Sequence, residues 1–303
     1  MTPWFPAIHR GPASQLARGR FDVRYEDIAQ SGRLVLEAIP SAGAVVWRAL
    51  SDEGHPIARA VRGGLVPILC RLVVESRPGP IRVVPSYEVE GGWHLAHTVD
   101  REERVDRVLF DVWAAVRGTP GRTHDPESAP DGTVPAGRYH AEHVFTRPFG
   151  ALEERKVTRL DLPGLPGVPP ERREWRPLER AAQLPPGAEA LEPAGLESQA
   201  FVFGLDHTDS NQHVNSLVYP RLFLEAALRR LSRHVSVAEL QAVHAEIGFR
   251  KPCFAGETVR FLIQPFRLGE RFGAAGAYLP EGTERPSGYA SMLFESGDAV
   301  TGG

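Results

Sequence analysis

His207-Thr208-Asp209-Ser210-Asn211-Gln212-His213-Val214-Asn215 runs straight into Ser216-Leu217-Val218-Tyr219-Pro220-Arg221-Leu222-Phe223-Leu224-Glu225-Ala226. The join between these two stretches decides the fold. In the first, every residue but Val214 can hydrogen-bond through its side chain. The second continues to Leu231 as a helix whose main polar stripe is Arg221, Glu225 and Arg229, with Arg230 apart from it. Its other faces are Leu, Val, Phe, Tyr and Ala. A helix apolar nearly all round has to be wrapped by protein. The i, i±4 spacing of Arg221, Glu225 and Arg229 predicts a ladder of ion pairs along the stripe.

Working outward, strand-like runs follow at 241–250, 257–267, 271–279 and 287–295. Alternation within Glu257–Ile263 suits a half-buried antiparallel strand. The same order of pieces occurs earlier in the chain. Phe21–Tyr25 matches the lead-in Phe201–Leu205, and a helix is expected over about 37–50 with Pro40 in its first turn. From Ala38 to Trp47 that helix has no charge. Strands are expected at 66–76, 81–90, 93–100, 104–116 and 138–147. The halves superpose at an offset of 180, so that Phe21 meets Phe201, Leu34 meets Val214 and Pro40 meets Pro220. Identity is very low, and the repeat rests on pattern. One helix per half inside several antiparallel strands is an α+β arrangement, and two copies predict a tandem, or double, hotdog fold.

Residues 161–196 hold eight of the chain's 27 prolines. Proline fixes φ and removes a donor, so no central strand or long helix is expected there. The stretch reads as a connector with one short helix at 178–183. It divides the chain into an N-terminal domain, 1–160, and a C-terminal domain, 197–303, that carries the polar loop. Residues 119–137 read as a surface loop, and Gly63-Gly64 and Gly91-Gly92 as turns.

The 303-residue chain, with 42% hydrophobic and 24% charged residues, can bury a sizeable core and is not disordered. A net charge of -3 gives no support to nucleic-acid binding. Cys70 and Cys253 make no disulfide framework. The first residues lack a secretory signal, and no run reaches the ~20 apolar residues of a membrane span. A cytoplasmic setting is expected.

The polar loop carries the chemistry. Asp209 is suited to be a general base or a nucleophile. Asn211 can donate its amide to an oxygen, and His213 is suited to shuttle a proton. The helix start adds backbone N–H groups and partial positive charge, which would stabilise an oxyanion. The pattern Asp209, Asn211-Gln212-His213-Val214-Asn215, Tyr219 and Glu225 resembles the signature of hotdog acyl thioesterases, and most closely that of the fatty acyl–acyl-carrier-protein thioesterases. That family is built as two hotdogs in one chain. The close match is confined to 209–225.

The resemblance implies catalytic roles for Asp209, Asn211 and His213. The family places a further acid and a cysteine on a later strand. This chain has Arg250-Lys251-Pro252-Cys253 there, so the cysteine matches and the acid is replaced by Pro252. Glu225 matches a helical glutamate that related enzymes use as base or nucleophile, and it stands as the fourth catalytic candidate. His207, where the family has Asp, is grouped with Asn215, Tyr219 and Cys253 as substrate-side residues. Under the offset of 180, Asp209 meets Ala29, Asn211 meets Ser31, His213 meets Arg33 and Glu225 meets Val45. One site, in the C-terminal half, is therefore expected, with the first half as scaffold and acyl pocket.

The implied reaction is hydrolysis of an acyl thioester, on acyl carrier protein or CoA, to free acid and thiol. It needs neither cofactor nor metal, and no cluster has metal-ligand spacing. Alternatives are a hotdog dehydratase or hydratase and a non-catalytic acyl-thioester binding module. Association of two chains as a homodimer is left open.

Overall fold

The computed structural model describes residues 5–8, 11–125 and 132–296. In chain order these form β1 (Leu16–Phe21), α1 (Ala44–Leu50), α2 (Pro56–Arg62), β2 (Val66–Ser76), β3 (Tyr87–Val99), β4 (Val105–Gly118) and β5 (Val134–Thr146). Three two-residue strands follow, β6 (Glu189–Ala190), β7 (Gly195–Leu196) and β8 (Phe201–Val202). Then come α3 (Val218–Leu231), β9 (Leu240–Phe249), β10 (Thr258–Leu268), β11 (Arg271–Pro280) and β12 (Gly288–Ser296).

The strands make one antiparallel sheet. From its middle, β2-β5-β4-β3-β1 runs one way and β9-β12-β11-β10 the other, with β6, β7 and β8 on the outer edge of β10. Read outward, the two wings have the same strand order. They join where β2 pairs with β9, from Arg71 opposite Gly248 to Glu75 opposite His244. α1 packs on β1, β3 and β4, and α3 packs on β9 through β12. Each wing of the sheet thus packs on a helix, consistent with the hotdog expectation. Period-two alternation sends Leu72, Val74, Phe110, Val112, Ala245 and Ile247 into one core with Ile39, Val46, Phe223 and Ala226. Fully burying a phenylalanine such as Phe223 contributes roughly 1.5–3 kcal/mol.

Four expectations need correction. The helix at 37–50 is a 3-10 turn over Ile39–Gly43, with Pro40 at its start, leading into α1. The surface loop reaches only to 133, because β5 begins at Val134 and buries Ala136; residues 126–131 of it lie outside the described residues. Gly91 and Gly92 are not a turn. They lie inside β3, a single strand where two were expected. A Cβ on Gly91 would come 2.6 Å from the Trp113 carbonyl and from Val46, and one on Gly92 would come 2.7 Å from the Gln15 carbonyl. They are glycines so that β4, α1 and the lead-in to β1 can approach. Finally, α2 was not anticipated. Pro56 opens it, and His55 Nδ1 caps it by accepting the Ile57 N–H at 3.2 Å.

The proline-rich segment is a strap over the sheet's outer face. Its 3-10 turn, Leu178–Ala182, buries Ala181, and beneath the strap lies a buried charge network. Arg71, 3% exposed, pairs with Glu246 at 2.5 Å and Glu142 at 3.5 Å and donates to the Arg176 carbonyl. Arg173 reaches Asp111 at 2.7 Å, and His140 reaches the same carboxylate at 3.2 Å. This network crosses the β2–β9 seam. A cavity of about 770 Å³ opens beside it, lined in part by Arg71, Arg176, Leu184 and Phe266 and by no residue of the 207–215 loop.

Candidate active site

The loop before α3 is built from local hydrogen bonds, and they recur at the offset of 180. A 3-10 turn at Leu205–His207 is followed by a bridge between Thr208 and Val214; in the first half the turn is Tyr25–Asp27 and the bridge joins Ile28 to Leu34. The Asp209 N–H donates to the His213 carbonyl at 3.2 Å, as Ala29 donates to Arg33 at 2.8 Å. The Gln212 N–H donates to the Asp209 carbonyl at 2.9 Å, as Gly32 donates to Ala29 at 2.8 Å. His207 Nδ1 accepts the Gly204 N–H at 3.1 Å, where the Asp27 carboxylate accepts the Arg24 N–H at 2.8 Å. Even the left-handed residue is shared, with φ +65° at Gln212 and +80° at Gly32.

The side chains on this common frame differ. In the first half they reach across to the second. Gln30 donates to the Ala238 carbonyl at 2.8 Å, Ser31 to Gln241 at 2.9 Å, and Arg33 pairs with Glu295 at 2.8 Å. The matching side chains of Ser210, Asn211 and His213 make no hydrogen bond to a described residue. Asn211 is exposed and His213 half-buried.

Asp209 holds the loop shape. One oxygen accepts the Asn211 N–H at 2.8 Å and the other accepts Asn215 Nδ2 at 3.1 Å. Asn215 then occupies two amides at the opening of α3. Its Oδ1 accepts Leu217 N–H at 2.9 Å and its carbonyl accepts Val218 N–H at 3.0 Å. Those two N–H groups are therefore not available to an oxyanion, contrary to expectation. The Asn211 side-chain amide remains as a donor.

Tyr219 and Cys253 are buried behind the loop. The Cys253 carbonyl accepts Val214 N–H at 2.8 Å, and its own N–H donates to the Tyr219 hydroxyl at 3.2 Å. Tyr278 donates to the Tyr219 carbonyl at 2.8 Å. Burial pushes the Cys253 thiol up from its ordinary range and does the same to the Tyr219 hydroxyl, so both stay protonated near neutral pH. The backbone of Cys253 thus pins the loop to α3.

Glu225 is exposed on α3, and the expected ladder does not form. Arg229 turns instead to Glu197, at 3.5 Å, and lies over the Phe201 ring. Glu37, in the first half, is held above the ordinary glutamate range by burial, with the charge of Arg221 opposing that rise. Glu37 was not singled out by the sequence reading. Its signal was that it is the one charge in the run 34–47. Among the described residues no group of three or more His, Cys, Asp or Glu side chains is placed to hold a metal. No helix there is long and apolar enough to cross a membrane.

No protein-family model matches the chain, and no curated protein matches its sequence. Solved structures do resemble it. An acyl-ACP thioesterase from Bacteroides thetaiotaomicron aligns over 92% of this chain and 98% of its own, with a TM-score of 0.56 and 14% identity. A putative oleoyl thioesterase from Lactobacillus plantarum aligns over 94% and 98%, with a TM-score of 0.60 and 13% identity. A 12:0-ACP thioesterase from Umbellularia californica aligns over 95% and 100%, with a TM-score of 0.53 and 13% identity. At these identities the likeness is one of fold, and it extends over nearly the whole length of each protein.

Proposed function

We propose that the chain is an acyl thioesterase with a tandem hotdog architecture, in which 1–160 and 197–303 are the two units and 161–196 the strap. Its substrate is an acyl thioester on acyl carrier protein or CoA, and its products are the free acid and the thiol. One observation carries this reading. Two loops share the same backbone hydrogen bonds, yet Gln30, Ser31 and Arg33 are tied across the molecule in the first while their matches Ser210, Asn211 and His213 bond no described residue through their side chains in the second. A loop held by its own hydrogen bonds, while the Asn211 and His213 side chains bond no other described residue, suits preorganised catalysis. The thioesterases among its structural neighbours supply the reaction class.

In this mechanism Asp209 and Asn215 fix the loop, and the Asn211 amide donates to the carbonyl oxygen as it gains charge. Water attacks the carbonyl carbon and loses a proton to a carboxylate, Asp209 or Glu225, with His213 carrying the proton on. The tetrahedral intermediate collapses, the C–S bond breaks, and His213 protonates the departing sulfur. His207 and Asn215 flank the bound substrate, with Tyr219 and Cys253 supporting them from below. The first half contributes the acyl pocket and no catalytic loop.

Release of free thiol from acyl-CoA and acyl carrier protein thioesters of graded chain length tests this. His213→Ala and Asn211→Ala are each expected to lower kcat by about 100-fold or more while the melting temperature holds. Wild-type rates in both variants would end the reading.

A further inference from the structure

The cavity beneath the strap is polar at one end and apolar at the other, and its two walls change character in the same direction. Its floor is the sheet's outer face, where the strands follow in the order β5, β2, β9, β12, β11, β10. His140 and Glu142 on β5, Arg71 on β2 and Glu246 on β9 line the first part of that floor, and Leu293 on β12 and Phe266 on β10 line the last. The strap above arrives beside β3, where the Arg173 N–H donates to the His97 carbonyl at 2.8 Å, and leaves along β10, where Ala190 pairs with Phe266. On that course it offers the cavity Arg173, Arg176 and Arg180 first, then Leu184 and Pro185. Leu184 packs on the small apolar cluster that holds Phe266 and Leu293, apart from the main core.

The polar end holds more than its internal pairs use. Arg71, Arg173 and Arg176 are matched by Asp111, Glu142 and Glu246. Arg180 comes in addition, exposed on the 3-10 turn, and its side chain makes no hydrogen bond or ion pair with a described residue. His140 lines the same end with its Nε2 at 3.2 Å from Asp111, and its buried Nδ1 has no hydrogen-bond partner.

We propose that this cavity binds an alkyl carboxylate, its head at the Arg176 and Arg180 end and its chain along Leu184, Leu293 and Phe266. One surplus cation matches a singly charged head, and a guanidinium holds a carboxylate through two parallel hydrogen bonds. The chain covers apolar surface that the strap leaves open, which is favourable by roughly 25 cal/mol per Å². The volume of about 770 Å³ falls within the ~300–1,000 Å³ of small-molecule pockets. The site is separate from the candidate active site. Arg71 and Glu246 alternate with Leu72 and Ile247, which face the core that holds α3, and no residue of the 207–215 loop lines the cavity. On the hydrolytic reading above, the free acid released is a ligand of this class, so the enzyme's own product would occupy the site. That link rests on the hydrolytic reading, and the site itself does not.

A diazirine-bearing dodecanoate is photolysed on the full-length wild type, and the labelled peptides are mapped by mass spectrometry. Label is expected on the cavity-lining peptides of the strap, β10 and β12. Free dodecanoate is expected to displace it at lower concentration than 1-dodecanol, which lacks the charge, or acetate, which lacks the chain. Arg180→Gln and Leu184→Glu are each expected to raise the half-displacing dodecanoate concentration about tenfold or more, with melting temperature and thiol release unchanged. Label confined to peptides that do not line the cavity overturns the proposal. So does displacement in both variants at the wild-type concentration, or displacement by 1-dodecanol as readily as by dodecanoate. If a variant fails to fold, the wild-type map and its displacement series decide. Labelling as expected in a protein that hydrolyses no thioester leaves the site standing and overturns the product link alone.

Discussion

Gln212 is a residue out of its usual conformation. It holds φ +65°, where the first half uses Gly32. Left-handed backbone costs a residue with a Cβ roughly 1–2 kcal/mol. That strain sits between Asn211 and His213, where it aims their side chains. Gln212→Gly is expected to keep or raise the melting temperature, whereas Gln212→Val, with its branched Cβ, is expected to lose about 1–2 kcal/mol in chemical denaturation. Asn211 and His213 stand out in the sequence as candidates because their types and spacing carry chemistry. The positions of Asp209 and Asn215 were legible too, but not their bonding, since which amide a carboxylate accepts depends on backbone turns that spacing does not show.

Among the elements, strands announced themselves wherever alternation was undisturbed. β2 occupies the expected 66–76, and β9 through β12 each fall within a residue of expectation. The failures had non-local causes. Gly91 and Gly92 read as a turn by composition, yet the reason for them is the closeness of Trp113 and Val46, residues from two other elements. Gly91→Ala is expected to destabilise by about 1–3 kcal/mol, measured by urea denaturation, because the backbone carbonyl of Trp113 cannot move aside. Helix α2 was missed because seven residues hold too little periodicity to show. The ion-pair ladder on α3 failed because tertiary partners, Glu197 and Phe201, outcompete a surface i, i+4 pair worth a few tenths of a kcal/mol.

Across the whole molecule the two wings are joined by a β2–β9 ladder on which buried charges stand. Arg71 is almost fully enclosed with two carboxylates. Removing one member of such a set strands the others, so Arg71→Met is expected to cost about 3–5 kcal/mol in denaturant unfolding. Acid acts through the histidines. Burial, the largest cause, pulls His143 from 6.5 to about 4 and His244 from 6.5 to about 3. Below pH 6.5 the unfolded chain takes up protons that the folded chain refuses, so stability is full above that pH and falls as pH drops toward 4. The melting temperature is expected to follow, with a shallower fall in His143→Leu. The repeat of strand order between the two wings was legible because the offset of 180 survives in pattern, while the strap's hold on the outer face was not, because its prolines signalled only what it does not form.

The two loops provide their own control, and a single assay uses it. Thiol release from an acyl thioester is measured for Asn211→Ala in the second loop and for Ser31→Ala at the matching position in the first. The account predicts that Asn211→Ala loses about 100-fold or more of the wild-type rate and that Ser31→Ala keeps most of it. Equal rates in the two variants, whether both fast or both slow with the fold intact, would contradict it.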